Sequence, residues 1–365
     1  MTLKRKNMKK IVIGIDISKE KIDATAIDVR DSHLGVVKLD YQVYENRPMG
    51  YRRMLVWARH LIKGVGLEDV LFCCETTGGY DRCLCDYIYA KGLEIWREGA
   101  LQIKRSMGVR KGKDDKADSL MIAEYAMRHI DKAVIYETPD EKVRELKALF
   151  LYRHKLVQER TEKKVRASEL KATAAKSDSM RFIVRDAMRN VRALDKSIRD
   201  CEKQIKVIID SDENLKRNYD HIVSTPGISI VNATAFIAYS NNFRSINTAN
   251  KIASYWGCAS FRERSGTSVD KKAYVRCYSS SLLKATLTQA AECTIKEHGI
   301  YHDYYLRLKA EGKPYGVIVN NVRNKLIHLV FSLVTNDMDY EKNHEFLRKK
   351  RKSEQGMSAQ LEIIN

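Results

Sequence analysis

Apolar residues in the first hundred positions fall into short runs separated by turn residues. Ile11 to Ile17 reads IVIGIDI between Lys10 and Ser18, which predicts a buried strand with one acid, Asp16, inside it. Runs at Ile22–Val29 and Val36–Tyr44 follow, with Asp31, Ser32 and Gly35 between them, as in an antiparallel meander. Helical spacing takes over across Pro48–Gly64, at Met54, Leu55, Ala58, Leu61 and Ile62. Val70–Cys74 is a further strand ending on Glu75 and the turn Thr76-Thr77-Gly78-Gly79. Tyr80–Lys91 reads as helix, Leu93–Arg97 as strand and Leu101–Met107 as a short helix. A stretch rich in helix formers, Arg110 to His129, then carries Asp115 and Asp118 three residues apart, on one helical face.

The order β-β-β-α-β-α-β-α, followed by the acidic helix, describes a mixed sheet flanked by helices in the ribonuclease H-like order. Beyond Pro139 the pattern changes. Up to about Asn218 there is no glycine, and apolar residues recur at helical spacing in two blocks broken near Ala175–Met180. Two long amphipathic helices fit, as an antiparallel hairpin, a partner coil or a solvated spacer. A second compact, mostly helical region follows. It opens with Thr225-Pro226-Gly227, a turn like that of helix-hairpin-helix modules, whose helix N-terminus holds a DNA phosphate. The expected fold class is therefore α/β plus all-α. Its domains are 1–135 (mixed sheet), 136–218 (helical coiled-coil spacer), 219–339 (helical C-terminal domain) and 340–365, a basic tail.

Charge narrows the partners. The chain has 365 residues, 66 basic against 47 acidic, and a formal net charge of +19, which favours a polyanion. No apolar run approaches the roughly 20 residues of a membrane span, and the N-terminus lacks an apolar signal core. A soluble protein of a reducing, cytoplasmic compartment with no membrane partner is expected. The eight cysteines and nine histidines show no zinc-ligand spacing, and buried small hydrophobes are the expected role of the cysteines.

Candidate chemistry centres on acids. In the predicted topology the fourth strand lies beside the first, so Asp16 and Glu75 become neighbours, and Asp115 and Asp118 arrive from the following helix. Four converging carboxylates repel unless cations are present, and oxygen ligands suit Mg²⁺ or Mn²⁺. Each acid also has a plainer role open to it: Asp16 as a polar strand end, Glu75 as a cap for the next helix, Asp114 or Asp115 as cap of the acidic helix. Basic residues around the acids (Lys104, Arg105, Arg110, Lys111, Lys113) and in the second half (Arg262, Arg264, Lys271, Lys272), with Gly227, are the candidate nucleic-acid contacts. Ser265 precedes a glycine among arginines, in a stretch with little helix or strand signal. It could attack a phosphodiester, or could simply contact phosphate or lie exposed.

Gly14-Ile-Asp16-Ile-Ser18-Lys19, Glu75-Thr-Thr-Gly78-Gly79-Tyr80 and Lys113-Asp-Asp115-Lys-Ala-Asp118 resemble the amino-terminal half of the DEDD transposases. These are the RuvC-like enzymes of insertion-sequence family one-ten, or bridge recombinases. Thr225-Pro-Gly-Ile228 and the stretch from Trp256-Gly257 to Ser265-Gly266 resemble their carboxy-terminal transposase domain. The resemblance implies a transposase or recombinase of a prokaryotic mobile element, cytoplasmic and nucleoid-associated. It implies divalent metal on Asp16, Glu75, Asp115 and Asp118, and a serine, mapped to Ser265, that becomes covalently joined to DNA. Donor and target DNA, a structured guide (bridge) RNA and a homo-oligomer, dimer or tetramer, are its implied partners. Asp114 stands where the family has Thr and Ser119 where it has Ala, so Asp114 is an alternative ligand. Arg276–Ser281, RCYSSS, replaces the family's usual segment and leaves Ser268 as an alternative nucleophile. The competing reading is a junction-resolvase-like nuclease using the same acids with water as nucleophile. A non-catalytic relative and an actin-like kinase fit less well, given all four acids and the absence of a phosphate-binding Gly-Thr turn after Asp16.

Overall fold

The computed structural model describes residues 9–30, 35–107, 114–173, 177–261, 264–265, 269–270, 274–275 and 280–341. It divides into two compact units, Met1–Thr138 and Pro139–Asn365.

In the first unit the strands are β1 (Ile11–Ile17), β2 (Lys21–Asp28), β3 (Val37–Glu45), β4 (Val70–Glu75) and β5 (Glu94–Glu98). The helices are α1 (Pro48–His60), α2 (Arg82–Ala90), α3 (Ala100–Met107) and α4 (Asp115–Arg128). The sheet order is β3-β2-β1-β4-β5, with β1–β2 and β2–β3 antiparallel and β1–β4 and β4–β5 parallel. That is the ribonuclease H-like arrangement expected from the element order. Boundaries differ by a residue or two. Helix α2 starts at Arg82 rather than Tyr80, with Asp81, buried and ion-paired with Arg97, in the position before it.

Strand side chains alternate between the two faces of the sheet, and two cores result. Ile11, Ile13, Ile15, Ile22, Phe72, Cys74 and Ile95 pack with Tyr51, Met54, Leu84 and Ile88 of α1 and α2. On the other face Val12, Ile27, Leu71, Cys73 and Trp96 pack with Ile103 of α3 and with Met121, Ile122 and Tyr125 of α4. On the second face Gly14 lies between Val12 and Asp16. A β-carbon at Gly14 would collide with the backbone of Ser119 and Ala123, so the missing side chain lets α4 lie directly across β1.

The second unit opens with α5 (Glu141–Thr173) and α6 (Asp178–Asp210), each 33 residues long. Ion pairs Arg153–Glu202 and Arg160–Asp195 run antiparallel between them, so the two form a hairpin, the first of the arrangements the sequence left open. At its base Val143, Leu146, Phe150, Cys201, Ile205 and Ile209 join the core of α7 (Glu213–Val223), α8 (Ile230–Ser240) and α9 (Ala249–Tyr255). That core also takes in α10 (Ser281–Ile295) and α12 (Tyr315–Thr335), against which α11 (His302–Ala310) packs. Towards the far end of the hairpin Val165, Phe182 and Ile183 remain exposed. Between α9 and α10 the backbone forms two narrow antiparallel pairs, β6 (Ser260–Phe261) with β9 (Tyr274–Val275) and β7 (Arg264–Ser265) with β8 (Val269–Asp270). The sequence carries little strand signal there, because two-residue strands are too short for a period to show.

Among the described residues every cysteine is a free thiol; Cys73, Cys74, Cys85, Cys201 and Cys258 are buried, Cys83 and Cys293 exposed. No helix among them is long and apolar enough to cross a membrane.

Candidate active site

The alternation that builds the second core also gathers the acids. Asp16 continues the Val12–Gly14 face of β1, and Glu75 continues the Leu71–Cys73 face of β4. Helix α4 covers the same face and brings Asp115 and Asp118 in its first turn. Burial pushes the Asp16 carboxyl up to about 6, and repulsion from Asp118, Asp115, Glu75 and Asp23 adds to it. Glu75 is also raised, first by burial and then by Asp118, while Lys104 of α3 opposes the shift. The four predicted acids therefore share one local field.

Glu75 is not the cap of the following helix, since Asp81 takes that place. Asp114 is the N-cap of α4, its carboxylate accepting the Lys116 N–H at 3.2 Å. Ser119 is buried, and its hydroxyl lies 2.7 Å from that of Thr25 in β2, a second tie between α4 and the sheet.

Three side chains of this site escaped the sequence reading. Asp23 lies directly opposite Asp16 in the β1–β2 ladder and is only 2% exposed. The Tyr41 hydroxyl donates to it at 2.5 Å. Lys21 reaches Asp23 at 3.1 Å and Asp115 at 2.8 Å, and these carboxylates raise its pKa. A two-residue offset from the strand face of Thr25 and Ile27 was the available signal. Recognising it required the Asp16–Asp23 register, which a short turn alone does not fix.

The donor set is entirely carboxylate oxygen, which fits a hard divalent cation rather than a soft one. Among the described residues no three His, Cys, Asp or Glu side chains converge on a single point as they stand. One of the four, Asp115, has its Oδ2 engaged by the Lys21 ammonium at 2.8 Å.

Of the predicted nucleic-acid contacts, Lys104 and Arg105 are exposed on α3. Gly227 has φ 86°, in the left-handed region, and a side chain there would run into Thr294 of α10. Its turn precedes α8, which is capped by a reciprocal Ser229–Asn232 box. Ser265 is the last paired residue of β7, opposite Val269; of Ser265 and Arg264 the backbone alone is described. Arg110, Lys111, Lys113, Arg262, Ser268, Lys271, Lys272 and the tail from 342 lie outside the described residues.

Residues 13–171 match a family model for IS110-type DEDD transposases, described as "Transposase". Residues 219–306 match the model described as "Transposase IS116/IS110/IS902 family". Together the two spans take in well over half of the chain. Pilin gene-inverting proteins of Moraxella lacunata and Moraxella bovis are 22% and 23% identical over 348 residues, 93% of this chain and 100% of each relative. Among solved structures, RuvC from Thermus thermophilus, alone or with Holliday junction substrate, aligns at 13% identity with a TM-score of 0.26. That alignment covers 34% of this chain and 99% of RuvC.

Proposed function

The chain belongs to the IS110 family of transposases, and from that premise we propose that it cuts and rejoins DNA strands with a metal-dependent acidic site and a serine nucleophile. The observation carrying the metal reading is the placement of Asp16, Glu75 and the first turn of α4 on one face of the sheet, where burial and the neighbouring acids Asp118, Asp115 and Glu75 push the Asp16 carboxyl up to about 6. A bound divalent cation would relieve this repulsion, which supports reading the cluster as a metal site. Asp16, Glu75, Asp115 and Asp118 would hold Mg²⁺ or Mn²⁺. Bound there, a divalent ion supplies charge stabilisation at a phosphodiester and at the departing oxygen.

The chain's own residues do the rest. Lys104 and Arg105, exposed on α3, and Arg110, Lys111 and Lys113, which follow in the sequence before Asp115, supply the positive charge that contacts backbone phosphates. The Ser265 hydroxyl loses its proton as its oxygen attacks phosphorus; the P–O bond to serine forms as the bond to the leaving DNA oxygen breaks, and that oxygen takes up a proton, so that one proton is lost and one gained. Arg262, Arg264, Lys271 and Lys272 stabilise the charge developing on phosphorus. Rejoining is the reverse attack by a DNA hydroxyl, which releases the serine. Relatives named as pilin gene-inverting proteins are consistent with an exchange of strands rather than simple cleavage. The reading includes a structured guide RNA, for which a net charge of +19 supplies attraction. It also includes a homo-oligomer, for which the exposed Val165, Phe182 and Ile183 supply apolar surface.

The test incubates the protein with junction DNA and Mg²⁺, then denatures it and looks for a DNA–protein adduct. An adduct present in wild type and absent in Ser265→Ala supports the serine reaction. Clean nicks without an adduct favour the resolvase-like alternative with water as nucleophile. An adduct that persists in Ser265→Ala rejects Ser265.

A further inference from the structure

We propose that Lys21 is a positioning residue of the acidic site, anchored on buried Asp23 and setting the orientation of Asp115. The inference rests on the reading of Asp115 as a metal ligand and extends it to a residue outside the four acids. Lys21, Asp23 and Thr25 are successive same-face positions of β2, and each touches the α4 side of the sheet. The Lys21 ammonium donates to Asp115 Oδ2 at 2.8 Å and lies 3.1 Å from Asp23 Oδ2. Thr25 meets Ser119 at 2.7 Å. The first turn of α4 is thus fixed at both ends, with Asp118 between the two fixed points.

An exposed ammonium–carboxylate pair is ordinarily loose, because two long side chains must be held in one geometry and water competes. Here one end of the bridge is buried and hydrogen-bonded. The Asp23 side chain is 3% exposed and takes the Tyr41 hydroxyl at 2.5 Å on its other oxygen. Lys116, beside Asp115, places its ammonium 5.1 Å from the centre of the Tyr41 ring, a further link between the start of α4 and the same anchor. Ligating carboxylates are commonly held in this way by hydrogen bonds from a second layer of groups, which fix the direction in which their oxygens are presented.

Positioning and plain electrostatics predict opposite signs. By charge alone, deleting a cation from an acidic site strengthens binding of a second cation. A loss of affinity on deleting Lys21 can then come only from lost orientation. The experiment titrates Mn²⁺ into the full-length protein without DNA and counts free Mn²⁺ by electron paramagnetic resonance, for wild type, Lys21→Met, Lys21→Arg and Tyr41→Phe. Lys21 is about half exposed (46%), so methionine is accommodated there. Lys21→Met is expected to bind Mn²⁺ about tenfold more weakly, with an unchanged melting temperature. Arginine, which keeps the charge and the donors, restores most of the affinity, and Tyr41→Phe shifts it a smaller way in the same direction. Mn²⁺ binding by Lys21→Met as tight as wild type, or tighter, overturns the proposal. If wild type binds no Mn²⁺, the metal reading itself fails and takes this inference with it.

Discussion

Asp16 shows how a partly buried acid crowded by other acids costs stability. Its carboxyl titrates at about 6 in the folded chain, first because of burial and then because of Asp118, Asp115 and Glu75, against an ordinary 3.8. The fold therefore binds this proton more tightly than the unfolded chain. Stability falls as pH rises through the window from about 4 to 6, and the penalty is complete above it. Asp16→Asn is expected to raise stability at pH 7.5 in a chelator by on the order of 2 kcal/mol, discounted for partial exposure, and to do nothing at pH 4. Urea unfolding at the two pH values measures this, and an equal effect at both would contradict it. Gly14 carries the opposite kind of constraint. Gly14→Ala forces a methyl group into the α4 backbone, which cannot swing aside, so a loss of roughly 3 kcal/mol in the same assay is expected. Asp16 was legible from IVIGIDI because a period of two assigns each residue to a face. Asp23 was not, since a lone acid in a second strand has no meaning until register sets it opposite Asp16.

At the scale of elements, α4 is held by its cap as well as by its packing. Asp114 satisfies the Lys116 N–H, so Asp114→Ala should cost about 1 kcal/mol in thermal or denaturant unfolding while leaving the four acids in place. A much larger loss of metal binding than of stability would instead make Asp114 a ligand. The five strands and four helices of the first unit were readable because each run was long enough to show its period, and the meander followed from short turns. The ribbon bearing Ser265 was not readable, because β7 and β8 are two residues each and their pairing depends on chain closure rather than pattern. For Gly227 the sequence pointed to a phosphate-binding turn. The structure adds a packing reason for the same glycine, its contact with Thr294.

At the scale of the whole molecule, charge and length decide what can be gripped. If Lys104 and Arg105 each neutralise one phosphate, replacing both with alanine lowers the slope of log affinity against log salt by about 2, whatever the DNA sequence. Binding measured between low and physiological salt reads this directly, and an unchanged slope removes α3 from the interface. Length enters through the hairpin. Thirty-three helical residues span about 50 Å, and among the described residues those near the base join the core of the second unit. A rod secured at one end acts as a ruler: whatever is grasped at its tip is kept some fifteen base-pair rises from the body that carries it. Removing two turns from both helices would draw that grip in by about 11 Å, changing the spacing at which two bound segments could be held together while leaving the chemistry of every acid untouched.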